Sequence, residues 1–234
     1  MQIHGILLIC NSLIFGFVLY YSINYLISHL TYSKIDSPKQ FIFKTIIFVS
    51  FMNSSFWICE QIINIISIIT NGLSDLSLNL FSTEISFSNF INNLNKALFS
   101  SKTDFNLFSF DGIIKSFTSA GLINLIFSFS LRYIMLQIFV LLSPFAFLSL
   151  IINSSDWFFK VWIKNFISLL LVQILVSLIL LLSFSINPIN ISDFSKLLYI
   201  GIIFALTKSQ TYLREIFGGI STSIHNNFNT YFKK

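Results

Sequence analysis

The chain has 234 residues, of which 55% are hydrophobic and only 10% are charged. A soluble domain carries about 25% charged residues, so this composition excludes an ordinary soluble domain and indicates a membrane protein. The net charge of +5 is modest, and no basic stripe follows a polar face, which argues against a nucleic-acid-binding domain.

Five segments are predicted to cross the membrane, because one crossing needs roughly 20 mostly apolar residues. In chain order they are residues 5–30, 41–70, 121–152, 161–186 and 197–213. The third is long enough to tilt, kink or partly re-enter, and the fifth has a purely apolar core only from Leu197 to Leu206. The prediction is an all-α, multi-pass transmembrane helical bundle that forms a single membrane domain over residues 1–234.

A long polar stretch, residues 71–112, separates the second and third spans and is predicted to be an outer loop. Part of it shows helical periodicity, with apolar residues at Phe87, Phe90, Ile91, Leu94 and Leu98. This pattern predicts an amphipathic helix over residues 87–99 that lies against the membrane or against a partner.

Lysine and arginine residues predict the orientation, because cytoplasmic loops carry an excess of both. Of the 14 basic residues, nine fall in the first loop, the loop after the third span and the C-terminal region. Four fall on the opposite side, and Arg132 lies inside a span. With five spans, the N-terminus and loop 71–112 are therefore predicted to lie outside, and the tail 214–234 in the cytoplasm.

The second and third spans each carry a line of polar residues on one helical face. Each such residue is costly in lipid and should face protein or water. The members are Asn53, Glu60, Asn64 and Ser67 in the second span, and Gly121, Asn124, Ser128 and Arg132 in the third. Because Glu60 and Arg132 would lie at similar depth, we predict that they pair across two helices or face a shared hydrated lumen. A plain interhelical salt bridge without a transport role is the alternative.

Sequence motifs of nucleotide-binding, hydrolytic or metal sites are missing. The chain has no G-x-x-x-x-G-K-[ST], no G-x-S-x-G and no H-E-x-x-H, and its three histidines are far apart. Cys10 and Cys59 have no C-x-x-C partner and are interpreted as small buried hydrophobes. The sequence therefore predicts no catalytic residue, no cofactor and no metal, so the chain is not expected to be an enzyme. Any energy source would come from another protein.

The stretch that joins the third and fourth spans is the most organised part of the chain. Pro144, directly after Ser143, removes a backbone donor and is predicted to kink the helix near its cytoplasmic end. A short polar turn then leads into the aromatic and basic segment 157-WFFKVWIK-164. The predicted anchors at headgroup depth are Trp157, Trp162, Lys160 and Lys164. An ordinary kinked hairpin would account for the same pattern.

Together these features resemble the TrbL family, polytopic membrane subunits of conjugative type IV secretion systems related to the sixth VirB protein. The shared order is an arginine, a Ser-Pro-x-x-Phe within a long span, a Trp-and-Lys turn and a span rich in Leu, Ile and Val. The residues that carry it are Arg132, Ser143, Pro144, Phe147, Trp157, Lys160 and Trp162. Gly218 and Gly219 follow the last predicted span, and the resemblance covers roughly residues 120–222.

The resemblance implies a channel or scaffold subunit of the cell membrane that helps to form the path of a DNA–protein substrate in conjugative transfer. The implied partners are membrane lipid, further copies of the chain, other channel subunits and their ATPases. Nucleic acid would be only a non-specific transported substrate.

Two other classes stay open, a membrane subunit of a small-molecule transporter and a holin-like pore. A transporter would show symmetric repeats with paired helix breaks, whereas Pro144 has no counterpart in the first half of the sequence. A holin-like pore would need fewer spans.

Overall fold

The structure, a computed structural model, describes residues 2–31, 37–99, 110–185 and 193–217. Every element in these ranges is helical and none is a strand, which confirms the predicted all-α class. The described helices are α1 (Gln2–Thr31), α2 (Pro38–Asn53), α3 (Ser55–Phe81), α4 (Phe87–Phe99), α5 (Phe110–Leu148), α6 (Asp156–Phe184) and α7 (Asp193–Phe217). A 3₁₀ turn, Ser149–Ile151, follows α5.

Four of the described helical segments are long and apolar enough to cross a membrane, which confirms a multi-pass helical protein. They are Gly5–Thr31, Ser55–Phe81, Gly112–Ile151 and Asp156–Phe184. The fifth predicted span lies in α7, where the apolar segment Leu197–Ser209 is shorter and extends only about 20 Å. The described residues thus supply four membrane-length helices where the sequence predicts about five.

The second predicted span, residues 41–70, is interrupted. α2 begins at a capping box, in which Ser37 and Gln40 bond reciprocally, and it ends at Asn53. Ser54 has φ −92° and ψ 3°, outside regular helix geometry, and α3 then begins at Ser55. The continuous hydropathy of this stretch conceals the break, because it depends on backbone angles and not on apolarity.

The predicted outer loop 71–112 begins and ends within helices of the structure, and its position outside the membrane stays a prediction. α3 continues to Phe81, and α5 begins at Phe110, well before the predicted start of the third span. Frequent polar residues in the α3 extension lower its mean hydropathy, so hydropathy alone does not reveal that the helix continues. Residues 100–109 lie outside the described ranges, as do residues 218–234 of the predicted tail, including Gly218 and Gly219.

The chain divides into two compact units. Unit 1 comprises Met1–Ile63 and Met135–Phe166, and unit 2 comprises Asn64–Ile134 and Ile167–Lys234. Helices α3, α5 and α6 each contribute a segment to both units. The single membrane domain inferred from the sequence stays a prediction.

Aromatic contacts hold unit 1 together. The rings of Tyr21 in α1 and Phe41 in α2 stack with their centroids 3.7 Å apart. Further along α2, Phe51 stacks on Phe147 at the end of α5, with 6.0 Å between centroids. α2 also contacts the 3₁₀ turn, so α1, α2 and the α5–α6 connection form one cluster.

A hydrophobic core lies within unit 2 and draws on four helices. Its buried members are Phe90 and Leu94 of α4, Ile114 and Leu125 of α5, Leu180 of α6, and Tyr199, Ile203 and Leu206 of α7. The predicted amphipathic helix over residues 87–99 is therefore confirmed as a helix. Its apolar face, however, packs against helices of its own chain, since Phe90 and Leu94 are 0% exposed.

Candidate functional site

Ser143 compensates for the backbone defect that Pro144 creates. Pro144 lies inside α5, four residues before the helix ends at Leu148. Because proline has no N–H, the Val140 carbonyl loses its usual helical donor. The Ser143 hydroxyl donates to that carbonyl at 2.7 Å. α5 therefore continues past Pro144 to Leu148, where the 3₁₀ turn Ser149–Ile151 follows, and the kink predicted at Pro144 stays a prediction.

Trp162 closes the hairpin formed by α5 and α6 within unit 1. Its side chain is 2% exposed, and its Nε1–H donates to the Phe139 carbonyl at 2.8 Å. Its ring packs against Phe147, Phe159 and Phe166, at centroid distances of 5.8, 5.8 and 5.3 Å. This buried position differs from the exposed one expected of a headgroup anchor.

Trp157 keeps the exposed position that such an anchor requires, with 60% of its surface accessible. Trp157 and Trp162 are five residues apart, which places them about 140° apart around α6. The two tryptophans therefore face different surroundings, although the sequence assigns them the same role.

The basic residues of this region, Lys44, Lys160 and Lys164, all belong to unit 1. Lys160 forms an ion pair with Asp156 one turn earlier, at 2.6 Å, and Lys164 is exposed. The Lys44 ammonium of α2 donates to the Asn153 side-chain oxygen at 3.0 Å. The sequence places the first loop and the 153–156 turn on the same side of the membrane, and this contact agrees with that placement.

Gly121, Asn124, Ser128 and Arg132 all lie on α5, as the spacing predicts. The Arg132 guanidinium donates to the side-chain oxygen of Gln173 in α6, and both residues belong to unit 2. Glu60 belongs to unit 1, and its pairing with Arg132 stays a prediction. The sequence analysis did not single out Gln173 as a partner of Arg132. The available signal was that Gln173 is a polar amide side chain within an apolar span.

The break at Ser54 divides the polar line of the second predicted span between α2 and α3. Asn53 ends α2, and its amide donates to the Val49 carbonyl at 2.9 Å, so it belongs to a different helix. The rest lies on α3 and continues beyond residue 70. We call its exposed members the α3 polar stripe: Glu60, Asn64, Ser67, Asn71 and Asp75.

These five residues fall within about 80° of one another around the helix axis, given 3.6 residues per turn. Asn71 and Asp75 were missed because the predicted span ended at Thr70. The signal that would have found them is the 4-residue spacing that continues the line. The stripe therefore extends along most of α3.

The cysteines are both buried, as predicted, since Cys10 and Cys59 are 0% exposed. Each belongs to unit 1. In the part of the chain that the structure describes, no three His, Cys, Asp or Glu residues gather as a metal site would require.

Comparison with protein-family models, with curated proteins and with solved structures finds no match for this chain.

Proposed function

We propose that the chain is a channel or scaffold subunit of a type IV secretion apparatus in the cell membrane, serving conjugative DNA transfer. The observation that carries the proposal is the α3 polar stripe. It lies on a helix that is long and apolar enough to cross a membrane, and two of its members, Glu60 and Asp75, are carboxylates.

Such a stripe is unfavourable against lipid. One aspartate at the centre of a membrane helix costs about 2.5–3.5 kcal/mol on insertion scales. On the opposite side of α3, Ile65, Ile69 and Leu76 are 56%, 43% and 51% exposed. An apolar side that suits lipid thus backs a polar side that needs water or protein, as expected of a helix lining a path within an oligomer.

The α5–α6 hairpin supports the secretion-system part of the proposal. Within it, residues that carry the family resemblance contact one another, because the Phe147 and Trp162 rings pack at 5.8 Å. The Ser143 hydroxyl donates to the carbonyl that Pro144 leaves without a donor, and Lys160 forms an exposed ion pair with Asp156. The transported substrate would be single-stranded DNA with its attached protein, and partner ATPases would supply the energy.

Deletion of the gene in donor cells, followed by a conjugation assay, tests the proposal. We expect the transfer frequency to fall to background and to recover when the wild-type chain is supplied. Unchanged transfer after deletion would overturn the secretion role.

The stripe itself is tested by replacing both carboxylates, Glu60→Leu and Asp75→Leu, in the complementing chain. We expect transfer to fall by about ten-fold or more, the factor for about 1.4 kcal/mol of lost interaction. The matched control is Glu84→Leu, since Glu84 is exposed between α3 and α4 and lies off the stripe. Equal transfer by the stripe variant and the control, at equal membrane levels, would remove the stripe from the mechanism.

Disulfide cross-linking tests whether the stripe faces another copy. Both native cysteines are buried, so the wild-type chain should give a low background. We expect Ser67→Cys to form cross-linked dimers on oxidation in membranes. Ile69→Cys, which lies about 160° away on the same helix, should form none. Dimers from Ile69→Cys alone would place the contact on the other side of α3.

A further inference from the structure

Helices α5 and α7 line a half-open cavity of about 390 Å³ within unit 2. This volume falls in the range of about 300–1,000 Å³ that is typical of small-molecule pockets. The close approach of the two helices on one side is permitted by Gly121, where an added Cβ would lie 2.8 Å from Ile203 Cγ2.

The walls of this α5–α7 cavity are of two kinds. Phe117 and Ala120 of α5 and Ile200 of α7 form an apolar wall. Lys208 and Thr211, one turn apart on α7, supply an ammonium group and a hydroxyl group. The Lys208 Nζ lies 5.7 Å from the centroid of the Phe204 ring, which also lines the cavity.

We propose that this cavity binds an anionic phospholipid, with an acyl chain on the apolar wall and the phosphate at Lys208 and Thr211. Charge complementarity selects this occupant, since among the lining side chains that the structure describes none is acidic and the one full charge is the Lys208 ammonium. Basic pockets between membrane helices are known to bind anionic headgroups. The inference does not depend on the proposed secretion function.

The location of the cavity supports a lipid. Its α5 wall belongs to the segment Gly112–Ile151, which is long and apolar enough to cross a membrane. Its α7 wall ends the apolar segment Leu197–Ser209, with Lys208 at the end of that segment. A lysine side chain is long enough to carry its ammonium from an apolar groove towards a headgroup.

Lipid binding is measured on the delipidated full chain in a neutral detergent by native mass spectrometry. The probes are phosphatidylglycerol and phosphatidylcholine with identical palmitoyl and oleoyl chains. We expect phosphatidylglycerol to bind about five-fold more tightly, the factor for about 1 kcal/mol from one lysine. Lys208→Gln should abolish this preference, whereas Lys96→Gln, an exposed lysine of α4 in the same unit, should retain it.

A second variant tests the acyl-chain wall. Ala120→Leu fills the cavity and should reduce the binding of both lipids while thermal unfolding shows an intact fold. Equal binding of the two lipids by the wild type, or an unchanged preference in Lys208→Gln, would overturn the proposal. So would displacement of the lipid by an equal concentration of inorganic phosphate, or a cavity that is closed by a second copy of the chain.

Discussion

At Ser143 and Pro144, neighbouring side chains form a matched pair whose energies should be coupled. The Ser143 hydroxyl donates to the Val140 carbonyl that Pro144 leaves without a backbone donor. Ser143→Ala should lower the free energy of unfolding by about 1–2 kcal/mol, because a partly buried acceptor is left unpaired. In a Pro144→Ala background, where the backbone N–H returns, the same substitution should cost much less. Thermal unfolding of the four variants in detergent measures the cycle, and equal costs in both backgrounds would contradict the pairing.

Substitution of the two tryptophans of α6 should change the stability of the chain to different extents. Trp162→Phe keeps an aromatic ring but removes the hydrogen bond to the Phe139 carbonyl, so it should cost about 1–3 kcal/mol. Trp157→Phe is the control, because Trp157 is 60% exposed and should change stability by about 0.5 kcal/mol or less. Chemical denaturation in detergent checks both variants. A larger loss for Trp157→Phe would mean that the exposed residue, not the buried one, holds the hairpin.

At the scale of the helices, α5 and α7 can approach each other closely because Gly121 has no side chain. An alanine at Gly121 would place its Cβ 2.8 Å from Ile203, a buried β-branched residue that has little freedom to move. Gly121→Ala should therefore destabilise the chain, although alanine raises helix propensity by about 1 kcal/mol. Gly201→Ala is the matched control, since no described residue lies within 4 Å of its added Cβ, and it should stabilise by up to about 1 kcal/mol. Thermal melts of the two variants should shift in opposite directions, and stabilisation of both would refute the close contact.

Helices α2, α3 and α4 show how far the sequence alone predicts the fold. Hydropathy runs smoothly through Ser54, so it predicted one span where α2 and α3 meet. In α3 beyond Thr70, frequent polar residues lowered the mean hydropathy, so the end of this helix was predicted as part of the outer loop. The periodic pattern of α4 was correct about the helix, yet a single sequence cannot tell whether an apolar face meets lipid, a partner or its own chain.

For the molecule as a whole, composition was sufficient for the class, since apolar runs of this length require helices that satisfy their own backbone in lipid. The candidate site was less predictable. The sequence located Glu60 and Arg132 as polar residues inside spans, but the contact of Arg132 with Gln173 joins residues 41 positions apart. Trp162 was likewise interpreted as a headgroup anchor, whereas its side chain is buried. Burial depends on neighbouring helices, and a hydropathy pattern does not show which helices are neighbours.

Whether α7 crosses the membrane decides the side of the C-terminus. Its apolar segment is short, but the full helix has 25 residues and extends about 38 Å. Tyr199 and Ile203 pack in one cluster with Leu125 and Leu180, which lie in membrane-length helices. A helix covered by protein needs less apolar surface than one surrounded by lipid. We therefore expect α7 to be a fifth crossing, with the N-terminus outside and the C-terminus in the cytoplasm.

Reporter fusions to the C-terminus measure this orientation. A green fluorescent protein fused after Lys234 should fluoresce, and alkaline phosphatase at the same position should be inactive, because the phosphatase folds only outside the cytoplasm. Fusions after Ser185, before α7, are the control and should show the opposite pattern, since α6 alone would then deliver the reporter to the outer side. The positive charge of the C-terminal region favours the same result. An active phosphatase after Lys234 would show that α7 stays on the outer side and that only α1, α3, α5 and α6 cross.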